Sequence, residues 1–550
     1  MKKIFFLSII YTISLNSISQ NDISQISGNF ENNLQTYNED PSIGAEKVDE
    51  FILNNAFLNI LYTKGNFSTG IRYESYLNAL QDYDSKYTGN GIPYRFGRYI
   101  SGDLDITVGN YYEQFGSGLI FRTYEDKGLG VDNAMDGIRL KYSPIPSVSL
   151  KAFIGKSRTY FDYSEGIIRG ADAEININEV FKINSGTIYT LGGGIVSRYQ
   201  KDNNPMFNLP QNVAAMSTRI NIMHKGINYY GEYAYKINDP IGSYSMNVNN
   251  YASGKAIVNN ISYSQKGLGI SLESHWIDHM EFRSERALNK EFIINYIPTL
   301  SKQHSYTLLG LYPGSTQAEG EAGIQADIYY KFNKGTLIGG KYGTKINLNL
   351  SQINGIKNGT SFLDDSTNIS ANIFSFDNEK VYFSDINIEV NKKINKKIKS
   401  NIVISKQQYN KDVLEGKSIG QYGIINSTIG VIDVNYKIKK GHTVRIELQE
   451  LLAKDDPDAD SLSEGSWHMG LIEYTISPNW FFTIQDMYNW GNHDKDKQLH
   501  YFNISGGFVK GGNRFEIGYG KKREGIFCVG GVCKVVPSSN GLTVNISSSF

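Results

Sequence analysis

The sequence has little of what marks several common protein classes. Beyond the N-terminus, no run of apolar residues approaches the ~18 needed for a membrane-spanning helix, so a helical membrane protein is excluded. Proline is scarce, with 12 residues, and neither charge prevails, because 55 basic residues balance 55 acidic ones. This balance gives no sign of a nucleic-acid partner. If the chain lies in a membrane, it must cross as β-strands.

The N-terminus has the parts of a secretory signal peptide. Lys2 and Lys3 precede an apolar stretch from Ile4 to Leu15, and small residues follow at positions 17 and 19. We expect residues 1–19 to be removed and residues 20–550 to form a single domain. No cysteine lies near the cleavage site, so a lipoprotein anchor is not expected.

Both cysteines of the chain lie in the stretch Cys528-Val529-Gly530-Gly531-Val532-Cys533. Gly-Gly is a two-residue hairpin turn, so Cys528 faces Cys533 across two strands. Such a non-hydrogen-bonded pair has Cα atoms roughly 4.5 Å apart, within the range of about 4.4 to 6.8 Å that a disulfide accepts. In a secreted chain this predicts a structural disulfide. Two free thiols or half of a metal site are the alternatives.

The composition favours a transmembrane β-barrel. The chain has 38 tyrosines and 55 glycines, and its mean hydropathy is −0.35. This suits strands in which polar residues alternate with apolar ones. Residues 541–550 show the pattern clearly, because Leu542, Val544, Ile546 and Phe550 share one face and polar residues occupy the other. We expect this last strand to pair with the first, so that no sheet edge stays open.

Tight turns recur along the chain at intervals that fit two membrane-crossing strands and one longer loop. Twelve turns and two chain ends predict thirteen hairpins and about 26 antiparallel strands, with 22 to 28 acceptable. The first strand is expected at Ile26 to Tyr37, which leaves no plug domain ahead of it. The predicted turns lie near Gly65, Gly102, Ile145, Gly186, Lys225, Lys266, Leu300, Lys334, Lys396, Lys440, Pro478 and Gly511.

The segment between the strands at Ile106 and Ile138 is dense in charged and aromatic residues. Gly116 and Gly118 permit a kink, so the segment could fold into the lumen and narrow it. One hypothesis is a constriction that sorts solutes by charge. The other is a salt-bridged loop that closes the barrel mouth. The candidate constriction residues are Glu113, Arg122, Glu125, Asp126, Asp136 and Arg139.

The sequence offers no clear enzyme or metal site. His275 and His279 are four residues apart, which on a strand puts them too far apart to bind one ion comfortably. Aspartate clusters at Asp364-Asp365 and Asp455-Asp456 are typical of calcium ligands, but their spacing fits no EF-hand and a solvated acidic loop is the simpler interpretation. We expect no catalytic residue, no metal and no cofactor.

Three stretches resemble a family of outer-membrane β-barrels of unknown function from Bacteroidota. They are Gly28-Asn29-Phe30-Glu31-Asn32, the block from Tyr111 to Tyr142, and Arg523-Glu524-Gly525-Ile526-Phe527-Cys528, which runs on to the chain end. The resemblance covers the mature chain. It implies a location and a fold, and supplies no activity or binding residue.

Two functions in the outer membrane are compatible with these observations, and a secreted β-rich enzyme or adhesin is a third alternative. The leading hypothesis is a porin-like solute channel in the outer membrane of a Gram-negative bacterium, because charges of both signs face inward on many strands. The alternative is a non-conducting scaffold or partner barrel in an envelope assembly or secretion complex. The expected partners are outer-membrane lipid, the barrel-assembly machinery during insertion, and other envelope proteins.

Overall fold

A computed structural model describes residues 24–203, 205, 208–242, 249–286, 293–357, 374–529 and 532–550. The predicted signal peptide, residues 1–19, lies outside these residues. No helix in the described ranges is long and apolar enough to cross a membrane. Apart from a few short helical turns, the regular structure is β-strand.

The chain forms a closed barrel of 24 antiparallel strands, each paired with the next. The barrel uses β1 to β5, β8 to β25 and β28, whereas β6 with β7 and β26 with β27 form two small separate hairpins. The strands, in chain order, are β1 (Gln25–Thr36), β2 (Ile52–Lys64), β3 (Phe67–Leu77), β4 (Gly89–Ser101), β5 (Leu104–Tyr111), β6 (Glu125–Asp126), β7 (Val131–Asp132), β8 (Met135–Ile145), β9 (Val148–Thr159), β10 (Asp162–Asn176), β11 (Thr187–Tyr199), β12 (Asn212–His224), β13 (Ile227–Gly242), β14 (Asn249–Gln265), β15 (Leu268–Asp278), β16 (Gly320–Phe332), β17 (Thr344–Asn354), β18 (Val381–Lys393), β19 (Ile398–Asn410), β20 (Ile424–Lys439), β21 (His442–Lys454), β22 (Trp467–Ile476), β23 (Trp480–Tyr488), β24 (His500–Lys510), β25 (Asn513–Lys522), β26 (Gly525–Val529), β27 (Val532–Val536) and β28 (Ser539–Ser549).

Short helical turns interrupt the loops. Helix α1 (Ile177–Val180) follows β10, and helix α2 (Lys411–Glu415) follows β19. In each case an asparagine at the end of the strand caps the helix, because its side chain accepts a hydrogen bond from a first-turn backbone N–H. Single 3-10 turns lie at Pro41–Ile43, Ser85–Tyr87 and Lys495–Lys497.

The last strand closes the barrel on the first, as the alternation of residues 541–550 predicts. In the register of β1 with β28, Asn29 faces Ser549 and Gln35 faces Thr543. The terminal Phe550 extends the ladder, because its backbone exchanges hydrogen bonds of 2.9 and 3.0 Å with Gly28. The sheet therefore has no free edge at this junction.

Most predicted turns lie at connections between strands, and the 24 strands fall within the expected range. Residues 65–66, 225–226, 440–441 and 511–512, for example, are two-residue turns at one end of the barrel. The predicted turn at Leu300 is the exception. Leu300 is buried in an apolar cluster within the long segment between β15 and β16, which accounts for the difference from 26 strands.

The two faces of the barrel wall differ in polarity, as the alternation predicts. Side chains such as Ile138, Leu448 and Ile484 are more than half exposed on the outer face. Their strand neighbours Glu447 and Arg139 point inward and are buried. An apolar outer band with polar groups inside is the arrangement that hydrocarbon requires of a spanning barrel.

Two segments between strands fold into the barrel interior. Inner segment 1 (residues 112–134) joins β5 to β8 and contains the β6–β7 hairpin. Inner segment 2 (residues 279–286 and 293–319) lies between β15 and β16. Their backbones meet, because Arg122 N donates to Ile294 O at 2.8 Å and Tyr296 N donates to Gly118 O at 2.9 Å. The barrel is therefore narrowed from within by its own chain.

Two parts of the inner wall that these segments touch carry an apolar core, whereas the contact with β1 is an ion pair of Lys127 with Glu31 at 2.6 Å. Core 1 packs both segments on β5 and β8 to β15, and core 2 packs inner segment 2 on β17 to β23. We call the inward faces of β8 to β15 and β17 to β23 the covered wall. Neither core contains a residue of β25, β28 or β1, whose inward faces we call the seam wall.

Candidate functional site

A polar cavity of about 320 Å³ lies inside the barrel, between inner segment 1 and the wall from β9 to β12. The segment contributes its first residues, and the strands contribute inward-facing charged side chains. The residues that line the cavity are Glu113, Gln114, Gly116, Ser149, Lys151, Asp172, Glu174 and Arg219.

Glu113 anchors the start of inner segment 1 to the wall. Its buried carboxylate pairs with Lys141 of β8 at 2.8 Å and with Lys151 of β9 at 3.0 Å, and Arg139 lies 3.8 Å away. Burial acts to raise the pKa of Glu113, but the hydrogen bond from Lys141 and the charge of Lys151 outweigh it, so the pKa is lowered. Glu113 is therefore ionised at neutral pH.

Arg219 of β12 organises the opposite end of the cavity. Its guanidinium donates to both carboxylate oxygens of Asp172, at 2.7 and 2.8 Å, and to Glu174 at 3.2 Å. It reaches these β10 residues by lying flat over β11, where a Cβ on Gly192 would come within 2.5 Å of Arg219 Nε. Glycine at position 192 therefore leaves the space that the Arg219 side chain occupies.

Ser117, four residues after Glu113 in inner segment 1, is bonded to β13. Glu232 accepts hydrogen bonds from Ser117 N at 2.9 Å, Ser117 Oγ at 2.6 Å and the Tyr230 hydroxyl at 2.6 Å. Gly116 makes the approach possible, because its φ is +53° and a Cβ there would lie 2.6 Å from a Glu232 oxygen. The segment is thus held at both ends of the cavity.

A buried ion-pair network joins the β6–β7 hairpin to strands β3 and β9. Arg158 pairs with Glu74 at 2.6 Å and with Asp132 at 2.6 Å, and all three side chains are buried. Arg72 of β3 pairs with the same two carboxylates and with Glu125 at 2.9 Å. Removing one member would leave uncompensated charge in a low-dielectric site.

The structure brings only part of the predicted constriction together. Glu113 lines the cavity, and Arg139 lies beside it, donating to Thr107 at 3.0 Å and to the Tyr112 carbonyl at 3.3 Å. Glu125 belongs to the ion-pair network instead, where burial raises its pKa. These residues face the interior but form two separate groups.

The other three predicted residues lie away from the cavity. Arg122 stacks on Tyr124 and Tyr296, at 4.9 and 4.1 Å from the ring centroids. Asp126 accepts a hydrogen bond from Leu129 N at 2.9 Å within the hairpin turn. Asp136 shares the outer face of β8 with the exposed Ile138 and pairs there with Arg95 of β4 at 3.1 Å. A strand puts residues three apart on opposite faces, so Asp136 and Arg139 point apart.

Sequence reasoning did not single out most of the charges that line the cavity. In β10, Asp172 and Glu174 alternate with Ala171, Ala173 and Ile175, a pattern that predicts inward carboxylates, and the structure places both on the inner face. Lys151 and Arg219 carry no comparable signal, and neither does Glu232, the cross-strand neighbour of Arg219. Their relation to Glu113 depends on the strand register and on where inner segment 1 returns to the wall.

The acidic loops use their carboxylates to hold backbone. Asp412 accepts hydrogen bonds from the N–H groups of Gly420, Tyr422 and Gly423, at 2.9 to 3.0 Å. Asp456 accepts one from Ile424 N at 3.2 Å. Across the described residues, no group of three or more histidine, cysteine or acidic side chains is placed to hold a metal ion. The predicted cluster at Asp364-Asp365 lies outside those residues.

The β26–β27 hairpin lies between β25 and β28, as the Gly-Gly turn predicts. Its register places Cys528 opposite Cys533. The side chains of both cysteines lie outside what the structure describes, so the disulfide stays a prediction.

The barrel resembles solved outer-membrane structures at low sequence identity. The translocation pore of the P pilus usher PapC is 8% identical, with a TM-score of 0.44, over 96% of this chain and 99% of that one. OccK3 (OpdO) of Pseudomonas aeruginosa is 9% identical, with a TM-score of 0.36, over 96% and 95% of the two chains. OccAB3 of Acinetobacter baumannii is 11% identical, with a TM-score of 0.34, over 96% and 99%. Comparison with curated proteins finds no match.

A closed antiparallel barrel, an apolar outer band and a charged interior together make this protein an outer-membrane β-barrel. A family model matches residues 1–550, from the first residue to the last. The chain therefore belongs to DUF6029, a family of unknown function.

Proposed function

We propose that the protein is a porin-like channel that admits small polar solutes across the outer membrane of a Gram-negative bacterium. The observation that carries this proposal is the polar, partly exposed inner surface of the seam wall. Inward side chains such as Glu516, Thr543 and Asn545 are polar and partly exposed, and neither apolar core packs on this wall. On β1, Gln35 is buried and Glu31 pairs with Lys127 of inner segment 1 at 2.6 Å. A path lined by such groups suits the passage of hydrated solutes.

The inner segments set the width of this path. They are held to the covered wall by cores 1 and 2, and the charged cavity lies beneath inner segment 1. Solutes therefore pass between a fixed, charged surface on one side and the seam wall on the other. The seam wall presents small groups such as Thr543, Asn545 and Gly518.

Planar bilayers test the proposal with a matched pair of variants on β28. Asn545 faces the lumen and its neighbour Ile546 faces outward, where it is exposed. Asn545→Trp should lower the single-channel conductance, because the indole takes up space in the path. Ile546→Trp should leave the conductance unchanged. A wild-type barrel that gives no conductance contradicts the proposal.

One observation favours the alternative, a non-conducting scaffold barrel. The interior is tightly fastened, with His304 of inner segment 2 bonded to Asp385 of β18 at 2.7 Å and Leu308 N donating to Gln449 of β21 at 2.8 Å. A scaffold has no need of an open path. Affinity purification from native membranes separates the two, because a stoichiometric companion together with absent conductance supports the scaffold.

A further inference from the structure

The charges around the cavity are divided into two groups of opposite sign. At one end, three cations surround the single carboxylate of Glu113, an excess of two positive charges. At the other end, two carboxylates pair with the single guanidinium of Arg219 and a third, on Glu232, is its cross-strand neighbour on β13, so this group has an excess of two negative charges. Asp105, which also contacts Arg139, is balanced by its own pair with Arg98 at 2.7 Å. The cations of the first group are Arg139, Lys141 and Lys151, and the carboxylates of the second are Asp172, Glu174 and Glu232.

The charges that a solute would meet are the accessible ones. In the first group, the side chains of Lys141 and Lys151 are 36% and 27% exposed. In the second, Glu174 is 51% exposed, whereas Arg219 is almost fully buried. Of these two lysines, only Lys151 lines the cavity, so the cavity presents one ammonium group at one end and the carboxylate of Glu174 at the other.

The strand register keeps these two ends close together. Lys151 of β9 is the direct cross-strand partner of Asp172 of β10, and Glu174 lies one inward position further along β10. Both ends thus border the same small space. At about 320 Å³, this space lies at the lower end of the size range of small-molecule pockets.

We infer that the cavity binds small zwitterionic solutes of the amino acid or dipeptide class. The solute's carboxylate would lie near Lys151, and its ammonium group near Glu174. An ion of one sign is attracted by one end and repelled by the other, whereas a zwitterion gains at both ends. This inference rests on the proposed channel function, because it names the solutes that the channel would favour.

Binding to the solubilised full-length barrel tests the inference without requiring transport. Calorimetric titration would use glycylglycine and three derivatives of similar size: the N-acetylated anion, the C-terminal amide cation and the doubly blocked neutral compound. Glycylglycine should bind about threefold more tightly than either singly blocked derivative, the ratio expected of one partly exposed ion pair, and about ninefold more tightly than the doubly blocked compound, which loses both pairs. Equal affinities, or no binding of glycylglycine, overturn the inference.

Two variants locate the effect. Glu174→Gln removes the accessible carboxylate, so glycylglycine should fall to the affinity of its N-acetylated derivative. Glu450→Gln removes the same charge from the outer face of β21 and should change nothing. A loss of preference in Glu450→Gln, or its persistence in Glu174→Gln, contradicts the assigned site.

Conductance measured in parallel separates this inference from the proposed function. If the barrel conducts and all four compounds bind alike, the channel stands and the solute class is wrong. If the barrel does not conduct but glycylglycine binds with the expected preference, the site stands and the channel is wrong.

Discussion

The covered wall and the seam wall belong to one sheet but differ in what their inward faces carry. On the covered wall, Phe153, Ile168 and Leu451 point inward and are buried. On the seam wall, Thr543 and Asn545 occupy equivalent inward positions and are partly exposed. The inner segments make the difference, because an apolar inward side chain is stable only where another part of the chain covers it.

This difference shows where strict alternation fails in a barrel strand. In β20, Ile429 and Val431 face inward and are buried, while Ile432 faces outward and is half exposed. Both faces of this stretch are apolar, and the inward one contacts core 2 while the other lies on the outside of the barrel. A barrel strand with two apolar faces therefore indicates an inner segment packed behind it.

The largest expected effect comes from breaking the buried ion-pair network that joins β9 of the covered wall to β3 and to the β6–β7 hairpin. Arg158→Met leaves Glu74 and Asp132 without one of their cations, at a cost of about 3 to 5 kcal/mol. The thermal unfolding midpoint of the solubilised barrel should fall steeply. Arg514→Met is the control, because Arg514 pairs with Glu516 on the seam wall and is half exposed. It should cost less than about 1 kcal/mol.

Truncating one inward side chain on each wall measures the contrast directly. Leu451→Ala empties part of core 2 and should cost about 2 to 5 kcal/mol. Asn545→Ala on the seam wall should change stability by no more than about 0.5 kcal/mol. Urea unfolding in detergent gives both values. Similar costs at the two positions would show that the seam wall is also packed.

The ion pairs that Glu113 of inner segment 1 makes with the covered wall should stabilise the barrel in a pH-dependent way. Because its pKa is lowered below the usual value of 4.5, its ion pairs contribute stability above that value and lose it as pH falls through the folded pKa. The stability difference between wild type and Glu113→Gln, about 1 to 3 kcal/mol, should stay constant from neutral pH to about 5. It should shrink only in more acidic solution.

The pKa of Glu125 is shifted in the opposite direction to that of Glu113. Burial raises its pKa, so protonation favours the folded state and stability contributed by this group increases as pH falls through the raised value. Relative to Glu125→Gln, wild type should therefore gain stability on mild acidification. Thermal midpoints of both variants across pH 4 to 7 would contradict these assignments if the two trends had the same sign.

The smallest effect concerns the hairpin that joins the two strands of the seam wall. If Cys528 and Cys533 form the predicted disulfide, neither should react with maleimide in the unreduced protein, and both should react after reduction. Mass spectrometry counts the added labels. Ready labelling of both thiols without reductant would contradict the disulfide, and the folded barrel should be little changed in either state.

Local sequence signals predicted much of the barrel. The alternation of residues 541–550 identifies the closing strand, and β1 begins at Gln25, one residue from the expected start. Leu300 shows the limit of such signals. The stretch Pro298-Thr299-Leu300 has turn-like chemistry, but it is part of a segment inside the barrel, and only its burial in core 2 reveals this.

The candidate site could be predicted only in part, for two different reasons. The outward position of Asp136 follows from its spacing of three residues from Arg139, so the sequence contained that answer. The pairing of Glu113 with Lys141 and Lys151 did not follow from any spacing. It depends on the direction in which inner segment 1 folds after β5.

By itself, the sequence determined the strands, their turns and the two-faced wall, because backbone hydrogen bonding and side-chain alternation act over a few residues. The tertiary structure decided which inward faces are covered and which charges meet. Ser117 and Glu232 are 115 residues apart in the chain and are hydrogen-bonded in the barrel. Contacts of this kind arise only when closure of the sheet and folding of the inner segments bring distant residues together.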